Sequence, residues 1–184
     1  ALLGMLSLGS MSGYDLKKLT EASVGNFWRE SYAQIYPILK QLEQEGLAVK
    51  QTEKQEGRPE RSIYSLTTEG HEALRQWLLE PIEYQIPRNE LLLKLFFGAE
   101  VPLARIIEHV QRFREMEAQS LQRQEQIRAT TIQNHGGNAK LPYWLITLNY
   151  GKHFSQAMLS WCDETLATLE QMAQQEMADR TENQ

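Results

Sequence analysis

Residues Ser31–Gly46, SYAQIYPILKQLEQEG, read as one short helix with two unlike sides. At about 100° per residue, Tyr32, Ile35, Ile38, Leu39 and Leu42 share one arc, while Ala33, Pro37, Lys40, Gln41 and Gln44 face away. Ser31 with Gln34 three residues on is a capping box that starts the helix, and Gly46 supplies its stop. The outward side is small, flat and carries amides. Glutamine donates and accepts hydrogen bonds together, and Ala or Pro lets a backbone come close, so this side suits the edge of a base pair better than bulk water.

Upstream, Leu2 to Leu8 is a short apolar helix ended by Gly9. Ser12-Gly13-Tyr14-Asp15 is a second cap, opening a helix with Leu16 and Leu19 inward and Lys17 and Lys18 outward, broken by Gly25 and Asn26. Two capped helices separated by a short turn region are the layout of a helix-turn-helix. Downstream, Leu47, Val49, Ile63, Tyr64 and Leu66 are strand-type residues on either side of the turn signal Glu56-Gly57-Arg58-Pro59-Glu60, which predicts a β-hairpin. Lys54, Arg58 and Arg61 gather at its tip and flanks. Such a hairpin either lies along phosphates or in a minor groove as a wing, or is a solvated tip whose field Glu53, Glu56 and Glu60 cancel. Thr67 caps a further helix, TEGHEALRQWLL, with Ala73, Leu74, Trp77 and Leu78 as its buried stripe, ending by Pro81.

The irregular, proline-bearing stretch 81–88 reads as a linker between a domain over 1–80 and a helical domain over 89–184. Asn89 caps ELLLKLFF, apolar nearly all round and so expected to be buried. A helix from Leu103 to about Thr131 carries Ile106, Val110 and Phe113 at three-four spacing, but Glu117, Ser120 and Gln124 continue the register, so only its first half is expected to pack deeply. After a turn at 134–140, a helix from Pro142 to Met177 lines up Leu148, Gly151, Phe154, Met158, Trp161, Thr165, Leu169 and Met172. The overall expectation is a mainly α protein whose antiparallel helix hairpin exposes enough apolar surface to need a second copy. Phe154, Met158, Trp161, Leu169, Met172, Ile106, Val110 and Phe113 are the candidate interface.

With 41% hydrophobic and 23% charged residues, the 184-residue chain has ordinary globular composition. Its one cysteine, Cys162, excludes an intrachain disulfide and fits a reducing cytoplasm, as small apolar filler on a helix. The longest apolar run, Leu91 to Phe97 interrupted by Lys94, is far below the roughly 20 residues of a membrane span. No secretory signal is visible, and the start inside ALLGMLSL suggests a natural beginning a few residues upstream. The net charge is -5, and residues 1–80 hold nine Lys and Arg against eleven Asp and Glu, so DNA binding requires a local positive patch. Catalysis and metal binding find no support: His71, His109, His135 and His153 are scattered, without a zinc motif, phosphate loop or nucleophile elbow, and no cofactor is called for.

MSGYDLKK, GNFWRESYAQIYPILKQLEQEGL and GRPERSIYSLTTEGHEALRQWL together resemble the PadR family of bacterial transcriptional regulators over residues 1 to about 80. The tail is similar to the longer C-terminal domain of the branch that includes AphA-type virulence regulators. The resemblance implies a winged helix-turn-helix that binds double-stranded DNA as a homodimer, mostly as a repressor, joined by its C-terminal helices. It maps the recognition helix onto Ser31–Glu45, with Ser31, Gln34, Tyr36, Pro37, Lys40 and Gln41 as DNA contacts. It maps the wing onto Gln51–Ser62, with Lys54, Arg58 and Arg61. Tyr14, Lys17 and Lys18 are candidates for phosphate contact. Gln34 is equally a cap partner, and Tyr36 equally a core residue.

Two function classes follow. One is a dimeric repressor on a pseudo-palindromic operator, released by a small molecule or stress signal, with Tyr143, Trp144, Tyr150 and Trp161 as a candidate effector pocket. The alternative is a winged-helix module that binds protein without touching DNA, favoured by the acidic balance of the first half.

Overall fold

Serine and threonine caps start the helices of the first half. Ser12 Oγ accepts from the Asp15 N–H and the Asp15 carboxylate accepts from the Ser12 N–H, a complete capping box that opens α2, Gly13–Ser23. Thr67 Oγ1 accepts from Gly70 N–H at the start of α4, Thr68–Leu79. Before α2 come α1, Leu2–Leu6, and β1, Met11–Ser12; between α2 and α4 lie α3, Tyr32–Gln44, β2, Ala48–Glu53, and β3, Arg61–Leu66. The computed structural model describes residues 1–25, 27–28, 32–53, 60–83 and 86–182, leaving aside the side chains of Tyr32 and of 179–182. It falls into two units, Ala1–Gln85 and Ile86–Gln184.

In the first unit the apolar arc of α3 does what its spacing predicts. Ile35, Leu39 and Leu42 are buried together with Leu2, Met5, Leu6, Leu16, Ala48 and Tyr64. Truncating Leu39 to Ala would cost about 2–5 kcal/mol. At the end of α3, Leu47 N–H donates to Leu42 O and Gly46 N–H to Glu43 O, with Gly46 at φ +71°, which is the paired closure that favours glycine there. The chain then enters an antiparallel sheet of order β1-β3-β2, with Ser12 opposite Ile63 and Glu53 opposite Arg61. The third strand, β1, was not expected. The expected stripe on α4 is only half realised: Ala73 and Leu74 are half-buried, but Trp77 and Leu78 are 55% and 65% exposed. Contact is concentrated at its first turn, where Gly70 presses against the Leu47 carbonyl.

The second unit contains α5, Glu90–Phe96, a 3-10 turn at Gly98–Glu100, α6, Leu103–His135, and α7, Leu141–Glu182. Asn89 caps α5 through Leu92 N–H, as its position predicts. The helix is buried on one side only: Leu95 packs on the core of this unit, whereas Leu92, Leu93 and Phe96 are exposed, because one chain covers only part of a helix apolar all round. α6 and α7 run antiparallel, with Phe113 against Trp161, Arg114 bonded to Asp163 and His135 against Trp144. Ile106, Val110, Cys162 and Leu169 form the core, with Phe113 and Trp161 packed on it. These residues line the seam of one chain's own hairpin rather than a face open to a second copy; Phe154 and Met172 stay exposed, and Met158 is half-buried. The seam does not fray where its apolar register ends. Gln124 is buried, its amide donating to Ser120 and Ser155 hydroxyls, and Ser155 donates to Glu117. Gly151 leaves the room for that amide, since a Cβ there would lie 2.9 Å from Gln124 Oε1. A polar layer thus continues the packing.

Candidate nucleic-acid interface

Burial of Ile35, Leu39 and Leu42 turns Ala33, Gln34, Tyr36, Pro37, Lys40, Gln41 and Gln44 outward from α3. Among the described residues Gln34 and Lys40 have no side-chain partner. Gln41 gives its amide to Glu45, at 2.8 Å, so its donor is shared with its own helix. Pro37 has no N–H and leaves one rung of the helix unmade. Tyr36 is 46% exposed, and its ring lies across Gly13, where a Cβ would meet Cε1 at 2.8 Å. It therefore joins α3 to the start of α2 while keeping one side open.

On α2, Lys18 Nζ sits over the exposed Tyr14 ring, 4.7 Å from its centre, which pre-positions a cation on an aromatic face. Lys17 is drawn to Glu21 at 3.8 Å, an exposed pair of small energetic weight. Arg61 does not stand free as expected. Its guanidinium is bonded to Asp15 and to Ser12 Oγ, tying the first residue of β3 to the start of α2. The Asp15 carboxyl is held below its ordinary range by the Ser12 hydroxyl first, then by the Ser12 N–H and Arg61, with burial opposing. Between these elements lies a depression of about 500 Å³ floored by Gly13 and walled by Tyr14, Tyr36 and Arg61. Ser31, Lys54 and Arg58 lie outside the described residues, and with Ser31 its half of the capping box.

Gly13 and Gly70 carry contacts that the sequence did not announce, and Asp15, expected only as the cap partner of Ser12, also binds Arg61; a glycine inside a helix's first turn was the available signal for Gly70. The four aromatic residues suggested for an effector do not converge within one chain. Trp144 and Trp161 are 17 positions apart on α7, about 25 Å, and each stacks edge-on with a different α6 residue. Among the described residues no group of three or more His, Cys, Asp or Glu could hold a metal ion, and no helix is long and apolar enough to cross a membrane.

A helix-turn-helix with an adjoining β-ribbon and an appended helix hairpin defines the winged-helix class of transcriptional regulators. Residues 2–76 match the model of the transcriptional regulator PadR-like family, and residues 87–170 that of the virulence activator alpha C-terminal domain. The negative transcriptional regulator PadR of Bacillus subtilis (strain 168) is 37% identical over 99 residues, covering 53% of this chain and 54% of that protein. The crystal structure of Bacillus subtilis PadR in complex with operator DNA superposes with TM-score 0.78 at 25% identity, covering 91% of this chain and 94% of that one. The Vibrio cholerae virulence activator AphA gives 0.71 at 27% identity, covering 93% and 96%. The chain thus carries a PadR-like transcriptional regulator domain over residues 2–76 and a virulence activator alpha C-terminal domain over residues 87–170, and the proteins that it resembles are regulators of transcription.

Proposed function

We propose that this protein is a cytoplasmic homodimeric repressor that reads a pseudo-palindromic operator with two copies of α3, about 34–36 Å apart. The observation that carries the reading is the outward face of α3, where Gln34 and Lys40, without a partner among the described residues, stand on a helix pinned from behind by Ile35, Leu39 and Leu42. Tyr14 and Lys18 on α2 add a flank suited to phosphate. A second copy is needed to cover what one chain leaves open in the second unit: Leu92, Leu93 and Phe96 on α5, and Tyr143, Ile146, Tyr150 and Phe154 on α7. Release by a small molecule or stress signal belongs to the same proposal, acting on the angle between the two hairpins; its support is the aromatic stripe exposed on α7.

The test is a fluorescence anisotropy titration of duplex DNA from upstream of the protein's own operon, repeated over a salt series. Binding that weakens steeply with salt is expected, and Lys40→Ala should lower affinity and reduce the slope of log K against log salt by about 0.9. No binding at low salt, or a single 21.3 kDa species in sedimentation at micromolar concentration, would refute the proposal.

A further inference from the structure

We infer that Arg61 serves DNA binding by fastening the β2–β3 ribbon to the start of α2, as a positioning residue rather than a phosphate contact. The inference rests on the DNA-binding reading above and assigns one residue within it.

Arg61 lies opposite Glu53 in the ribbon and two residues before Ile63, whose partner is Ser12. The guanidinium therefore reaches past the end of β1 to the point where the chain has already turned into α2. There one carboxylate oxygen, Asp15 Oδ2, accepts from Ser12 N–H at 3.2 Å, from Ser12 O–H at 2.8 Å and from Arg61. Ser12 Oγ in turn accepts from Asp15 N–H and from Arg61 Nη2, each at 3.2 Å. The hydroxyl is fully used and the ring of bonds is closed. Were Arg61 to leave for a phosphate, it would exchange one anionic partner for another and strip Asp15 of its counter-charge beside an incoming polyanion. Both consequences favour keeping the pair.

The tie reaches the reading helix as well. Tyr36 of α3 lies across Gly13, next in sequence to Ser12, so α2, α3 and β3 meet at one point. The ribbon's tilt relative to the α3 face is set there. Lys40 and Arg61, both cations of the first unit, thus have different tasks: one meets DNA, the other holds the ribbon.

The full chain, Arg61→Gln, Asp15→Asn and the double variant are titrated with the same duplex over the same salt series. Each single variant should bind about tenfold more weakly at one salt. The double should be no weaker than the worse single, and the slope of log K against log salt should stay at the wild-type value. Asparagine at position 15 still accepts from Ser12 N–H, so the cap survives; melting followed by circular dichroism checks this. If Asp15→Asn fails to fold, Arg61→Lys replaces it, with faster amide exchange at Arg61–Ile63 and an unchanged slope expected. A slope reduced by about 0.9 in Arg61→Gln alone, or wild-type affinity in every folded variant, would overturn the assignment. Failure of the wild-type protein to bind would sink the DNA-binding reading, and this is told apart because it needs no variant.

Discussion

Gly70→Ala tests whether α4 is seated on the exit of the reading helix as tightly as described. A Cβ at Gly70 would lie 2.0 Å from Leu47 O and 2.9 Å from Leu66 Cδ2, where ordinary contact begins at 3.4 Å. The helix start must therefore retreat by about 1.4 Å from a backbone atom that has no freedom to swing aside. Two bonds run across that gap, Thr67 N–H to Leu47 O at 3.2 Å and Thr67 O–H to Gly46 O at 2.7 Å. Losing both costs about 2 kcal/mol, and the residual overpacking about 1–3 kcal/mol. Alanine's better helix propensity returns about 1 kcal/mol, leaving a net loss of about 2–4 kcal/mol out of a typical 5–15 kcal/mol. Urea unfolding followed by circular dichroism should show the midpoint of the N-terminal unit fall by about 1–2 M. Gly4→Ala is the control: nothing lies within 4 Å of its Cβ position in α1, so stability should hold or rise slightly. A Gly70→Ala protein within about 0.5 kcal/mol of wild type would refute the packing described.

Other outcomes follow from the same geometry. The depressed Asp15 carboxyl supports the folded state above its unfolded pKa of about 3.9 and ceases to do so as pH falls through the lower folded value. Midpoints measured between about pH 5 and pH 2 should therefore drop less steeply in Asp15→Asn than in wild type. Cys162 is fully buried, and burial first, then Asp163, pushes its thiol up, so an alkylating reagent at neutral pH should label it only after unfolding. Ser155→Ala removes the acceptor of the Gln124 amide and the donor to Glu117, and should cost about 1–3 kcal/mol in thermal unfolding of the second unit.

The local features were legible because local rules write them. The caps at Ser12, Thr67 and Asn89, the Gly46 stop and the inward set Ile35, Leu39 and Leu42 all follow from neighbours within a turn or two. The Asp15–Arg61 tie spans 46 positions, and no periodicity announces a partner that far away. Arg61 looked like a free cation for that reason. Ile106, Val110 and Leu169 show the converse limit: an apolar stripe tells that a face is covered, not by which molecule. One side of α5 and the end of α4 are apolar without being covered within one chain, since composition predicts a demand for burial and cannot supply its source. Glu117, Ser120 and Gln124 looked like the end of a seam because polarity was equated with solvent, whereas Gly151 and Ser155 opposite make room for them.

That polar layer has a mechanical consequence for the hairpin. If α7 slid along α6 by one turn, about 5.4 Å, either Leu159 or Gly151 would arrive where Ser155 now meets the Gln124 amide. The first would press an aliphatic chain against a buried carboxamide, and the second would leave it only Ser120 as an acceptor; each costs about 1–3 kcal/mol. Sliding in either direction therefore climbs out of a notch, and the two rods move as a stiff pair that pivots as a whole before it shears.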